Sequence, residues 1–443
     1  MMNKSKLLFL SLVGLLSFSA CGRNNVKPEP EPSDEGGEQE PTPDLEPETY
    51  LSYDERVKNI KRMGYVTGPE AFYNTMEYGL GSCDLGYPLY VPDTNSMYYF
   101  FGDSFSQNNQ SGMWRSNVAG ISTDFDFSDG LTIDDALMTP NGYLMAIYNG
   151  HHMDFGSEVT KIPTGAIYVN NTIYMFYFSM HNWSFSQDTR MNYGGCIKST
   201  DMGATWERIY DLTWVNLSPD MTYGTGNKEN NFENLKVLIN EDIDNNERTE
   251  DLINLEDHLG FDATMIYPMM GPDGYIYLFL EGGWRNHPLK VGRVTPENIE
   301  KFNEIEYLQG FDTSNNPIYL KGYEGLKALY HNTDAEITDA NFGEMSGIYN
   351  PYFKKYCLFT VCNESVDMYM SDKIYGPYTD KIHFYSQGQE PMPISSTTGE
   401  PIDHVYAPMV HEKMLADGGK TMYMITSSRV PCYNPSLYEV KFI

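Results

Sequence analysis

One pattern, repeated five times, constrains this chain more than any other feature. Each copy runs from a charged residue through a short apolar strand and a tight turn into a second strand rich in aromatics. The copies are Asp84–Phe105, Lys161–Met180, Asp262–Gly283, Glu344–Val361 and Asp403–Ser427. Their second strands begin near Met97, Thr172, Tyr275, Tyr356 and Thr421, which are 75, 103, 81 and 65 residues apart. A β-hairpin recurring at such intervals points to blades arranged around an axis. The expected fold is all-β, a five-bladed β-propeller.

The strands are runs of Tyr, Phe, Ile and Met between turn residues. Asp93-Thr94-Asn95, Asn170-Asn171, Pro272-Asp273-Gly274 and Asp417-Gly418-Gly419 tolerate positive φ or preset a turn. Tyr352 to Lys355 is the weakest of the five turns. Outer strands follow, and Ser199–Trp206 matches S-x-D-x-G-x-T-W. That stretch resembles the Asp-box, a structural hairpin turn of sialidases and many other propellers. After the fifth hairpin only Arg429–Ile443 remain, too few for a full blade. Residues of roughly 53–80 are expected to supply the missing strand, joining the chain's two ends and removing open sheet edges.

Residues 1–21 read as an export signal: Lys4 and Lys6, then an apolar core from Leu7 to Leu16, then Phe18-Ser19-Ala20-Cys21. The ending resembles a bacterial lipobox, which makes Cys21 the expected lipidation site. Residues 22–50 form an expected disordered tether, with six Pro and nine Asp or Glu between Pro28 and Thr49 and no Lys or Arg. Its acids resemble the surface-export signal of Bacteroidetes lipoproteins. The expected location is the outer membrane, at the cell surface, held by the lipid anchor alone. Residues 51–443 are the expected propeller domain, a monomer.

A formal charge of −31 argues against nucleic acid, which needs a basic face. Apart from Cys21 there are five Cys, so at least one thiol is expected to be free. Cys357 and Cys362 share one expected strand and, five apart, face opposite sides. No Cys/His spacing suits zinc. Glu241–Asn246 looks faintly like a calcium loop but lacks the glycine and the final glutamate, and reads as part of a surface excursion over Gly226–Asp257. No cofactor or metal is expected.

A hairpin sets the start of its first strand beside the end of its second, and the first strand of a blade is innermost. Those positions hold Asp84 with Asp103, Lys161–Thr164 with Ser179–His181, Asp262 with Glu281, Glu344 with Asn363 and Glu364, and Asp403 and His404 with Ser427 and Arg429. Any single carboxylate there is better explained by solvation or by capping loop amides. Recurrence in four of five blades concentrates acids on the axis, where they raise one another's pKa and separate an acid from a base. Glycoside hydrolysis needs such a pair. Catalytic candidates are Asp84, Asp103, Asp262 and Glu344. Sugars stack on aromatic rings and bind polar side chains, so Trp183, Glu281, Trp284, Arg285, Tyr349, Asn350, His404 and Tyr406 are candidates for binding a polysaccharide or oligosaccharide.

Asp84-Leu85-Gly86 followed by Tyr98–Phe105 resembles the opening "D-x-G … Y-x-x-F-G-D-[ST]-F" of a bacterial family long catalogued only as a domain of unknown function. Its members include endo-D-arabinanases, glycoside hydrolases that cut mycobacterial arabinan. Ile162-Pro163-Thr164-Gly165, Asn350-Pro351-Tyr352, Tyr406 and Ser427 also fit. The resemblance implies a five-bladed propeller with an axial acidic site, and supports Asp84 and Asp103 as its catalytic carboxylates. Analogy with other five-bladed arabinan-cleaving enzymes suggests inversion at the anomeric carbon. The competing reading is a non-catalytic glycan-binding lipoprotein. A sialidase would need an Arg triad, and the ten Arg are scattered. A serine hydrolase would need a G-x-S-x-G elbow, which is absent.

Overall fold

The computed structural model describes residues 54–152, 158–225, 228–242, 247–248, 253–362, 364–387, 403–430 and 432–443. The export signal with Cys21, the tether, Ile243–Asn246 of the calcium-like stretch, and Asn363 lie outside them.

Five antiparallel sheets form the five blades. Blade one holds Leu85–Val91, Ser96–Phe101, Val118–Ser122 and Asp135–Ala136. Blade two holds Thr160–Val169, Thr172–Met180, Met191–Ser199 and Glu207–Val215. Blade three holds Met265–Met270, Ile276–Glu281, Lys290–Val294 and Glu306–Phe311, with Pro317–Lys321 as a fifth strand. Blade four holds Ser346–Asn350, Lys355–Cys362, Ser365–Ser371 and Asp380–Ser386. Blade five is built from both ends of the chain: Asp403–Met409, Thr421–Val430 and Pro435–Phe442, then Val57–Tyr65 outermost, paired from Val57 with Phe442 to Tyr65 with Ser436.

The first strands of the blades pack against one another around the axis. A hydrogen bond crosses every junction. Asn117 Nδ2 donates to Lys161 O (2.9 Å), Thr164 Oγ1 to Ile266 O (2.7 Å) and Tyr267 OH to Gly347 O (3.2 Å). Ser346 Oγ donates to Pro408 O (2.8 Å), and Leu85 N to Ser427 Oγ (2.8 Å). The second strands of blades one, two and three are buried along their whole length. With neighbouring blades on both faces, they read as continuous apolar runs with no alternation. Tyr87 and Tyr267, on the first strands of blades one and three, have ring centroids 6.4 Å apart.

Two features differ from expectation. The stretch after Gly226 contains a helix, Lys228–Ile239, whose Leu235, Leu238 and Ile239 are buried in the core. Their spacing of three and four places them on one helical face, so this segment is not wholly a surface excursion. Blade one also carries a second hairpin, Ser104–Gln107 with Ser111–Arg115, inserted after Asp103. The turn at Ser199–Trp206 is held by Asp201, which accepts from Thr205 N (2.9 Å) and Thr205 Oγ1 (2.6 Å), while Trp206 meets Phe100 edge-on. Cys83, Cys196, Cys357 and Cys432 are free thiols, and the first three are buried.

Candidate active site

The site begins with two glycines that let two aspartates meet. Leu85 and Gly86 open the first strand at φ 63° and 104°, and the register slips between Leu85 and Tyr87. Only glycine adopts the second angle without strain. Gly102 N donates to Asp84 O (3.0 Å), closing the hairpin. A Cβ on Gly102 would lie 2.4 Å from Asp84 Oδ1 and 3.0 Å from Leu85 Cδ1. The glycines before and after the hairpin thus make room for Asp84 against its partner strand, with Asp103 next in line.

Asp84 Oδ2 accepts from Tyr433 OH (2.5 Å) and Tyr406 OH (3.0 Å), while Oδ1 is buried without a partner. Burial, and then the charge of Asp103, push the Asp84 carboxyl up to about 8, against the two tyrosine hydrogen bonds. Asp103 Oδ1 accepts from Thr160 Oγ1 (2.6 Å) and Trp114 Nε1 (2.8 Å). Burial pushes Asp103 up to about 7, with both donors working the other way. Burial thus holds both carboxyls toward their protonated forms, and the Asp103 charge adds to the effect on Asp84.

Glu344 and Glu281 complete the acidic floor. Glu344 makes a two-pronged ion pair with Arg285, at 2.8 and 2.9 Å. Arg285 stands at φ 60° and stacks on Trp284 and Tyr406 at 4.2 and 5.2 Å. Glu281 is fully buried; Oε1 accepts from Asn286 N (3.2 Å) and Oε2 has no partner. Burial first, and also the Glu344 charge, hold it far above the ordinary carboxylate range. The structure therefore brings together Asp84, Asp103, Glu281, Glu344, Arg285 and Tyr406. Two of the non-glycine residues at positive φ, Leu85 and Arg285, stand at this end. Such backbone costs about 1–3 kcal/mol each and gathers where function requires it.

Other candidates are placed elsewhere. Asp262 sits in a 3-10 turn, Phe261–Ala263, and its carboxylate pairs with Lys290 (3.1 Å) on the blade's third strand. The strand proper starts at Met265, which itself pairs with Glu281, so the turn takes Asp262 out of the floor. Tyr349 and Asn350 lie at the other end of their strand from Glu344. Tyr349 packs on Tyr356, and Asn350 Oδ1 accepts from Tyr352 N (2.9 Å) in the hairpin turn. Trp183 and Trp284 meet edge-on at 5.8 Å at the mouth; Arg190 and Arg285 both stack on the Trp284 ring, so Trp183 is the more open surface. His404 is exposed, 3.3 Å from Gln387. The Asp403 side chain lies outside the described residues.

Four neighbours of the floor were not singled out from the sequence. Tyr433, Trp114 and Thr160 hold the two aspartates, and Glu158 anchors Lys161. Trp114 arrives on the inserted hairpin, stacked on His152 at 4.4 Å. Glu158 is buried and accepts from Lys161 Nζ (2.8 Å) and Ser179 Oγ (2.6 Å). Burial opposes its charge, yet Lys161 and His151 bring it down to about 2. Thr160 is adjacent to Lys161 and could have been found by the same hairpin rule. Among the described residues, no group of three or more His, Cys, Asp or Glu is placed to hold a metal ion.

A family model described as a domain of unknown function, DUF4185, matches residues 72–440. A search of curated protein sequences gives no match. Among solved structures, a conjectured hydrolase from Bacteroides ovatus is similar at 13% identity and TM-score 0.46, covering 83% of this chain and 87% of that one. A family 117 glycoside hydrolase of Zobellia galactanivorans is similar at 10% identity and TM-score 0.41, covering 86% and 90%. A family 43 endo-arabinanase of Bacillus licheniformis is similar at 12% identity and TM-score 0.40, covering 82% and 95%.

Proposed function

The chain belongs to the DUF4185 family, and we propose that it is a glycoside hydrolase acting through the carboxyl pair Asp84 and Asp103. The observation that carries this reading is a pair of buried aspartates at the axis, pushed up to about 8 and about 7, each held through one oxygen by two donors. At neutral pH one carboxyl is protonated and the other ionised. The protonated one gives its proton to the glycosidic oxygen as the C1–O bond breaks. The ionised one takes a proton from water as the water oxygen bonds to C1. Arg285 pairs with Glu344 beside them through two hydrogen bonds, which fixes the position of that side chain at the floor.

The substrate is a polysaccharide, and D-arabinan is the candidate that the sequence resemblance suggests. Inversion is the course carried with it. The test is product release from D-arabinan, arabinogalactan, L-arabinan and host glycans by residues 50–443, with proton NMR of the first anomer formed. Oligosaccharides from one polymer support the reading and name its substrate. Binding to a polymer without release from any supports capture without catalysis. We further propose that Cys21 is lipidated and holds the domain at the outer-membrane surface. Palmitate labelling that is lost in Cys21→Ser supports this, and labelling retained in that variant contradicts it.

A further inference from the structure

At the mouth of the floor, one cation lacks an acid. Arg190 stacks on Trp284 at 4.3 Å, and its Nε and Nη2 donate to Phe185 O at 3.2 and 3.0 Å. Arg285, on the same ring, is neutralised by Glu344. Among the described residues no carboxylate pairs with Arg190. Asp188, two residues away, turns instead to Asn286 Nδ2 (2.8 Å) and His287 Nε2 (3.0 Å).

The surroundings favour an incoming anion. Burial and the nearby Arg285 charge both make the Arg190 cation harder to hold. Trp284 Nε1 is a buried donor with no acceptor. Trp183 is 38% exposed beside this pair and offers a ring face. The acidic floor opposes an anion less than its four acids suggest, because Asp84 and Glu281 are pushed toward their neutral forms and Glu344 is paired with Arg285.

We propose that this mouth is a subsite for an acidic sugar residue, with Trp183 taking the C–H face of the ring and Arg190 its carboxylate or sulfate. The inference rests on the preceding reading only in that a glycan enters from this face. A guanidinium binds such groups through charge-assisted, two-pronged hydrogen bonds, so acid should count for more than ring identity.

The test is tryptophan-fluorescence titration with galacturonate, galactose 6-sulfate and galactose. These probes contain no bond to hydrolyse, so the outcome is independent of catalysis. At least one acidic probe is expected to bind about tenfold tighter than galactose, a preference that Arg190→Met removes and Arg190→Lys keeps only in part. Galacturonate alone or the sulfate alone responding identifies the anion. Equal affinity for acidic and neutral probes, no saturable binding of either acid, or an unchanged preference in a folded Arg190→Met would overturn the proposal.

Discussion

Asp103 shows how one residue's chemistry is set by its neighbours. Trp114 Nε1 and Thr160 Oγ1 stabilise its charged form, while burial opposes it. Replacing Trp114 by Phe keeps the stack on His152 and removes a donor, so the Asp103 pKa should rise further. The acidic limb of the pH–rate profile should then move up by about 0.5–1 unit, and a profile unchanged from wild type would contradict the role given to Trp114. Asp84 gives a stability test. Its folded pKa, about 8, lies above the ordinary value of 3.8, so the folded state binds the proton more tightly. That contribution is complete below about pH 4 and is lost as pH rises through 8. Asp84→Asn removes the cost of the buried charge and should raise the melting temperature at pH 8.5 by about 3–5 °C, with a smaller gain at pH 5. Melting at pH 8.5 below wild type would contradict the raised pKa.

At the scale of the element, the first hairpin decides where both aspartates stand. Gly102→Ala would push a methyl group into Asp84 Oδ1 and Leu85 Cδ1. It should cost about 1–3 kcal/mol of stability and reduce turnover about a hundredfold, measured by denaturation and product release. Activity within a few fold of wild type would mean that this close approach does not matter. Asp84, Asp103 and Glu344 were legible in the sequence because hairpin geometry is local. Asp262 is not paired with Glu281 as expected because a 3-10 turn separates it from its strand, a displacement that residue spacing does not register. Tyr349 and Asn350 were misread because nearness in sequence is distance along a strand: five residues at about 3.3 Å each put Tyr349 about 16 Å from Glu344. Trp114, Tyr433 and Arg190 reach the site through an inserted hairpin, the closing of the ring and contact between neighbouring blades, none of which leaves a local signal.

The closure of the whole ring bears directly on the site. Val57–Tyr65 covers the outer edge of blade five, and just beyond it Val66 N donates to Pro435 O (2.9 Å) while Thr67 Oγ1 donates to Asn434 Oδ1 (2.8 Å). Cys83 N donates to Tyr433 O (2.9 Å), so the residue before Asp84 also holds the tyrosine that touches Asp84. Removing residues 1–66 should lower the melting temperature by about 10 °C or more and promote association through the uncovered edge, read by calorimetry and light scattering. A truncated chain as stable and monodisperse as the original would mean that the strand is dispensable. Fold class and ring closure were legible because five hairpins and a short final blade allow few other arrangements. The chemistry of the axis was legible only as a concentration of acids. Its most direct test is reducing-end release from the polysaccharide panel by wild type, Asp84→Asn and Asp103→Asn, each checked for folding. The expected result is release by wild type from one polymer and a loss of about a thousandfold or more in both variants; release by either variant within tenfold of wild type would show that the aspartate pair is not the catalytic one.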